Sequence, residues 1–175
     1  MYYAVRLLLL IILWLVPSPL EAATSIEDIL IAVRTIIFTD SPPSGKVPLA
    51  ILFDSNQPQS VADLQTAVDV LDGGTQVGTL MVRAVPLPID QLDRLSSFRF
   101  VLITSSLKDY QKDIFERSKG TGTVTISTDV ECVKQGLCVM GVVSEPRVQI
   151  LLSSSACLAA AVKFLIPFRM MIKEM

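Results

Sequence analysis

The stretch "VPLAILFD", Val47 to Asp54, decides the fold. It is a continuous apolar run without the in-and-out alternation of a strand that has one wet face. A run of this length and composition reads as a strand buried on both faces, as in a parallel sheet covered by helices. Its flanks agree. "TDSPPSGK" before it holds two prolines and a glycine and is a loop, and "NQP" after it is a turn. Ser60 is positioned to cap a helix over "VADLQTAVDVLD", which stops at Gly73-Gly74.

The same rhythm continues outward. "VGTLMVRAVPL" reads as a second strand, Ile89 to Leu95 as a short helix and "FRFVLITSS" (Phe98 to Ser106) as a third strand. "LKDYQKDIFERSKG" reads as a charged, amphipathic surface helix ending at Gly120, and "GTVTIST" as a fourth strand. Strands alternating with helices from residue 47 to about 127 imply βαβ units. "CVMGVVSEPRVQILLS" then reads as two short strands turning at Ser144-Glu145-Pro146, an antiparallel hairpin at the sheet edge. Before the first strand, Ser25 to Phe38 reads as a helix capped by Thr24 or Ser25, with an apolar stripe at Ile26, Ile29, Leu30, Val33, Ile36 and Ile37. Ser153 to Met175 reads as one long apolar helix that Pro167 kinks or divides. The expected fold is α/β: a three-layer sandwich with a mainly parallel sheet and an antiparallel edge hairpin, flavodoxin-like or resembling half of a periplasmic binding protein.

The first residues, MYYAVRLLLLIILWLVPSPLEAATS, have a different character. Arg6 supplies a basic start and Leu7 to Val16 an apolar run too short for a membrane span. Pro17 and Pro19 end it, and the small residues Ala22 and Ala23 follow. This is the layout of a secretory signal peptide, with the cut expected after Ala22 and a single domain at residues 23–175. An uncleaved N-terminal anchor is the alternative. The expected location is the periplasm.

The chain has 175 residues, a formal net charge of −2 and no histidine. Near-neutral charge gives no electrostatic reason to bind nucleic acid. Without histidine, Ser-His-Asp and Cys-His catalysis are excluded, and the commonest metal ligand is missing. Three cysteines alone make a poor zinc site. No metal and no cofactor is expected, and no carboxylate pair stands out as general acid and base. Mean hydropathy is high at +0.55. The apolar C-terminal segment contributes to it, as a buried helix or a partner interface.

Cys132 and Cys138 lie six apart across Gly136 in "TDVECVKQGLCVMGVV". In an oxidising compartment that spacing favours a structural disulfide, with two free buried thiols as the alternative. The spacing is not that of a Cys-x-x-Cys redox pair. Cys157, in "SSSACLAAAV", reads as a buried free thiol.

Three strands end in small polar residues. Asp54, Ser55 and Asn56 end the first, and Thr104, Ser105 and Ser106 the third. Ser127, Thr128 and Asp129 end the fourth. In an open α/β sheet these ends form one rim, where ligands bind at the point of strand-order reversal. Asp54, Ser55, Asn56, Ser105, Ser106 and Thr128 are therefore the candidate rim for a small anion or polar metabolite. Helix capping alone also explains residues of these types at those places. On the last segment, Phe168 and Met171 are the candidate interface residues, for a second copy of the chain or a membrane-protein partner. Burial of the whole segment in the core is the other reading.

"FRFVLITSS", "GTVTIST" and "CVKQGLCVMGVVSEPRVQILLSSSACLAAAVKF", in that order, resemble the YfiR (HmsC-like) family of periplasmic proteins. "IEDILIAVRTII" before "VPLAILFD" is similar to the family's opening helix and strand, and the resemblance spans residues 26 to 175. The chain departs from the pattern in three places. Ile37-Phe38 before the Pro42-Pro43 loop replaces an aromatic-rich opening. Gly136-Leu137 stands for a double glycine, and Ser153-Ser154 stands where asparagine is common. The resemblance implies a non-enzymatic role: restraint of an inner-membrane diguanylate cyclase or similar sensor from the periplasmic side, lowering cyclic-di-GMP and biofilm formation. A solute-binding domain of an ABC-type transport system, using the rim residues, is the alternative.

Overall fold

In the computed structural model, residues 24–175 are described. The expected leader at residues 1–22 and its cut lie outside the described residues. The chain builds one eight-stranded mixed sheet flanked by helices, an α/β sandwich in three layers.

Strand β1, Lys46–Phe53, lies between two parallel neighbours: β3 (Leu80–Pro88) and β4 (Phe100–Ile103). Its alternate side chains enter opposite layers, as the two-residue period of a strand requires. Val47, Leu49 and Ile51 pack in one core cluster, and Ala50 and Leu52 in the other. All four residues of β4 are buried, and it pairs in parallel with β5 (Val124–Ser127), which pairs with β6 (Met140–Val143). The antiparallel hairpin of β6 and β7 (Gln149–Leu152) follows as expected, paired from Met140↔Leu152 to Val143↔Gln149. A two-residue strand β8, Lys173–Glu174, lies parallel to β7 at the edge.

The first layer contains helix α1 (Ile26–Thr35) and helix α2 (Pro58–Val70). The short helices α5 (Ser154–Ala160) and α6 (Ile166–Met171) complete it. Ile29, Ala32, Val33, Ala67, Ala156, Ala160 and Phe168 fill this face of the sheet. The opposite layer contains two 3-10 segments (Ile89–Ser97 and Ser105–Tyr110) with helices α3 (Gln111–Ser118) and α4 (Val130–Lys134). Leu92, Leu95, Leu107, Ile114, Cys132 and Val133 pack there.

Helix α1 begins at a capping box. The Ser25 hydroxyl accepts from the Asp28 N–H at 3.0 Å, and the Asp28 carboxylate accepts from the Ser25 N–H at 3.4 Å. The apolar stripe is rotated from its expected position: Ile26 is exposed, while Ile31 and Ala32 are buried beside Ile29 and Val33. Ser60 does not cap α2. Pro58 starts that helix with Gln57 as N-cap, and the Ser60 hydroxyl accepts from the Asp54 N–H at 2.9 Å. Proline supplies the first-turn geometry without needing a capped N–H.

Three expected elements divide. "VGTLMVRAVPL" holds a hairpin: β2 (Thr75–Val77) turns at Gly78-Thr79 and pairs antiparallel with β3. Gly78, at φ +59°, provides the left-handed residue that a two-residue turn demands. "LKDYQKDIFERSKG" breaks at Leu107 and becomes regular helix only from Gln111. The C-terminal segment is not one helix. Helix α5 stops at Ala161, which adopts φ 58°, six residues before the proline. Pro167 then sits in the first turn of α6, where it begins a helix rather than kinking one.

Candidate functional site

The parallel strands run in the order β3-β1-β4-β5-β6. Counted among themselves that is 2-1-3-4-5, the doubly wound order in which the chain reverses direction between β1 and β4. The residues ending β1 and β4 therefore meet at the topological switch point, as the sequence implies.

At these strand ends the Asp54, Ser106 and Thr128 side chains are engaged in hydrogen bonds within the protein. Asp54 is buried at the end of β1. One carboxylate oxygen accepts from the Asn56 N–H at 2.9 Å, and the other accepts from the Tyr110 hydroxyl at 2.8 Å. These two bonds hold the Asp54 carboxyl below the usual carboxylate range, the backbone donor contributing most, and the same contact raises the Tyr110 phenol. The Thr104 and Ser106 hydroxyls share a hydrogen bond at 2.8 Å, and the Thr128 hydroxyl accepts from the Ser105 N–H at 3.0 Å. Ser55 and Asn56 are exposed beside them. These bonds are not side-chain helix caps: the segment after β4 and helix α2 start without one, and Asp54, Ser106 and Thr128 are engaged by Asn56, Tyr110, Thr104 and Ser105 instead. Tyr110 is the rim residue that the sequence reading missed. Its signal was position: it ends the segment that follows the strand at the switch point.

A second layer closes the rim. Thr24 and Ser25 cross it in front of α1. The Thr24 N–H donates to Asp63 Oδ1 of α2 at 3.2 Å, and its hydroxyl meets that of Thr128 at 3.2 Å. The Ser25 hydroxyl meets that of Ser144 at 3.1 Å, and the Ser144 N–H donates to Asp28 at 2.6 Å. One short strap therefore ties α2, the end of β5 and the end of β6. Beside Tyr110 lies a cleft of ≈ 720 Å³ edged by Asp90, Asp93, Asp113 and Glu116, with Arg117.

Cys132 and Cys138 form a disulfide, with Cα atoms 5.3 Å apart and both side chains fully buried. The link is α4 and its stop. The Gly136 N–H donates to the Val133 carbonyl, and the Leu137 N–H to that of Cys132, which is a Schellman closure. Gly136, at φ +73°, supplies its left-handed residue. Cys157 is free, half-buried rather than fully buried, and its burial pushes the thiol up to about 11.

At the other end of the molecule, the candidate interface pair separates. Phe168 is buried and stacks on Phe38, so it belongs to the core. Met171 is 70% exposed, and Leu158, Ile166 and Met170 are exposed with it. Leu158 and Ile166 edge an apolar cleft of ≈ 770 Å³ that also includes Cys157, Arg169 and Glu174. Arg169 and Glu174 pair across its rim, which lowers the Glu174 carboxyl and raises the Arg169 guanidinium.

Among the described residues no group of histidine, cysteine, aspartate or glutamate is placed to hold a metal ion, and no helix is long and apolar enough to cross a membrane. The molecule is thus a doubly wound α/β sandwich whose switch-point rim is crossed by a short strap, with exposed apolar side chains in its C-terminal segment. No family model and no curated protein matches the chain. Among solved structures, it is similar to a conserved domain protein from Vibrio cholerae O1 biovar eltor, with a TM-score of 0.60 and 5% sequence identity. The match covers 86% of this chain and 60% of that one, so the chain spans about three-fifths of its neighbour's length. At that identity the likeness concerns the fold alone.

Proposed function

We propose that the chain is a non-enzymatic periplasmic regulatory module that restrains an inner-membrane diguanylate cyclase or a similar sensor by binding its periplasmic part. The observation that carries this reading is the apolar C-terminal face, where Leu158, Ile166, Met170 and Met171 lie exposed. Exposed methionine and large aliphatic side chains are the raw material of a protein interface, and Leu158 and Ile166 edge one cleft together. The resemblance to YfiR-type sequences names the kind of partner, and the buried disulfide suits an oxidising compartment. The solute-binding alternative is less favoured, because Asp54, Ser106 and Thr128 spend polar atoms on hydrogen bonds to Tyr110, Thr104 and Thr24, which leaves Ser55 and Asn56 as the exposed rim residues.

The test is genetic and biochemical together. Deleting the gene should raise cyclic-di-GMP in the parent organism. Met170→Asp with Met171→Asp should raise it equally while leaving the exported protein folded. Unchanged cyclic-di-GMP after deletion, with saturable binding of a small solute to the purified protein, would support the transport reading instead.

A further inference from the structure

The end of the sheet opposite the rim has the reverse character. A cleft of ≈ 650 Å³ lies there, at the starts of β4 and β5. Four chain segments edge it: residues 39–41, residues 96–99 before β4, residues 121, 122 and 124 at the start of β5, and residues 161–163 after α5. Backbone hydrogen bonds stitch these segments together and fix the roots of two cationic side chains. The Arg99 carbonyl accepts from the Val124 N–H at 2.7 Å, and the Lys163 carbonyl accepts from the Asp40 N–H at 3.0 Å. The Gly122 N–H donates to the Ala160 carbonyl at 2.9 Å, and the Thr123 hydroxyl to the Phe98 carbonyl at 2.9 Å.

The side chains on this frame are uncommitted. Among the described residues neither Arg99 nor Lys163 pairs with a carboxylate, and the hydroxyls of Ser41, Ser96 and Ser97 hold no hydrogen bond within the protein. All five residues are exposed. The Arg99 guanidinium lies over the Phe100 ring, 5.7 Å from its centroid, a contact that steadies it without consuming an N–H donor. A guanidinium, an ammonium and three hydroxyls along one cleft are donors for an oxyanion. Asp40 lines the same cleft and narrows the class. A carboxylate there disfavours a polyanion and accepts from a ligand hydroxyl. Phe98, the aromatic residue of the lining, is only 9% exposed and offers no face on which a nucleobase could stack. The volume falls within the range of about 300–1,000 Å³ that suits a small molecule. We propose that this cleft binds a phosphate monoester of a polyol, with Arg99 and Lys163 on the phosphate, the serine hydroxyls supplementing them, and Asp40 accepting from a ligand hydroxyl. The proposal uses none of Leu158, Ile166, Met170 and Met171, so its failure leaves the regulatory reading untouched.

The experiment follows backbone amide NMR signals of the purified protein during titration with glycerol phosphate, inorganic phosphate and glycerol. Glycerol phosphate should give saturable shifts at Ser41, Ser96, Ser97 and Gly122, at least about threefold tighter than inorganic phosphate, and glycerol should give none. Added sodium chloride should weaken the binding, since exposed cations are screened. Arg99→Gln and Lys163→Gln should each weaken it by about tenfold or more, while the thermal midpoint moves by less than about 1 °C. Arg99→Lys should lose less than Arg99→Gln, because it keeps the charge and gives up only the fork. Asp40→Asn should shrink the preference for glycerol phosphate over inorganic phosphate. No saturable shift up to about 10 mM glycerol phosphate overturns the site, as does a full response in both glutamine variants or one confined to Ser55 and Asn56. Equal affinity for glycerol phosphate and inorganic phosphate overturns the polyol assignment.

Discussion

Phe38 and Phe168 stack with ring centroids 4.6 Å apart and planes 5° from parallel, and Phe164 tilts against the same Phe168 ring at 5.6 Å. The contact ties the 3-10 turn after α1 to helix α6, so the C-terminal segment is anchored by Phe164 and Phe168 while its methionines face outward. Phe168→Ala should therefore cost about 3–5 kcal/mol, a buried aromatic lost with its cavity. Met171→Asp should change stability by less than about 0.5 kcal/mol. Urea unfolding of both variants checks the contrast. A near-neutral Phe168→Ala would mean that the segment is not held by this stack.

The Asp54–Tyr110 hydrogen bond gives the rim a pH signature. The Asp54 carboxyl is held low by the Asn56 N–H first and the Tyr110 hydroxyl second. Its contribution to stability is present above the unfolded carboxyl value of about 3.9 and is lost as pH falls through the lower folded value. The Tyr110 phenol is raised by the same contact. Its contribution is present below the unfolded value of about 10 and is lost as pH rises through the folded value. Tyr110→Phe should move the Asp54 carboxyl back toward its ordinary range without restoring it fully, since the Asn56 donor remains. Carbon-detected NMR titration of the Asp54 carboxyl reads this directly. An unchanged titration would show that the phenol does not matter there.

The central architecture was legible because it rests on long apolar runs. "VPLAILFD" and "FRFVLITSS" have no polar alternation, and only burial on both faces satisfies that pattern. The β6–β7 hairpin was legible for the opposite reason, since the Ser144-Glu145-Pro146 turn sits between two short strands. What the sequence concealed was set by contacts between distant residues. Helix propensity over "SSSACLAAAVKF" favours continuation, yet the chain turns at Ala161 so that Phe164 and Phe168 can reach Phe38. Small polar residues do end β1, β4 and β5, but the partners of Asp54 and Thr128, Tyr110 and Thr24, come from other elements, and no local pattern predicts who satisfies whom. Phe168 and Met171 look alike in an apolar run, and only the three-dimensional stack tells them apart.

The disulfide and the free cysteine should behave as separate chemical classes. Cys132 and Cys138 close a short loop, so reduction or Cys→Ser replacement of both should cost about 2 kcal/mol in the chain-entropy picture. Cys157 should alkylate slowly near pH 8, because burial raises its thiol to about 11 and leaves little thiolate. Mass spectrometry of protein treated with iodoacetamide before reduction should find Cys132 and Cys138 joined and unlabelled, with Cys157 only partly labelled. Rapid full labelling of Cys157 at that pH would contradict its half-buried setting.

Helix α4 is pinned from two sides, and Gly141 measures how firmly. A Cβ added at Gly141 on β6 would lie 2.7 Å from Val133 Cγ2 and 3.5 Å from the Val130 Cα. The first distance is a clash, and the second shows that the helix backbone lies close behind it. Val133 is buried, and its neighbour Cys132 is bonded to Cys138, so the helix has little freedom to withdraw. Gly141→Ala should cost about 1–3 kcal/mol through overpacking. Adding Val133→Ala removes the clashing methyls and should recover part of that loss, so the two changes will be non-additive. Reducing the disulfide in Gly141→Ala should also lower the penalty of the added methyl, because it frees α4 to shift. Denaturant unfolding of the single, double and reduced variants measures all three effects. An equal Gly141→Ala cost with and without the disulfide would show that the sheet contact alone, and not the clamp, holds the helix in place.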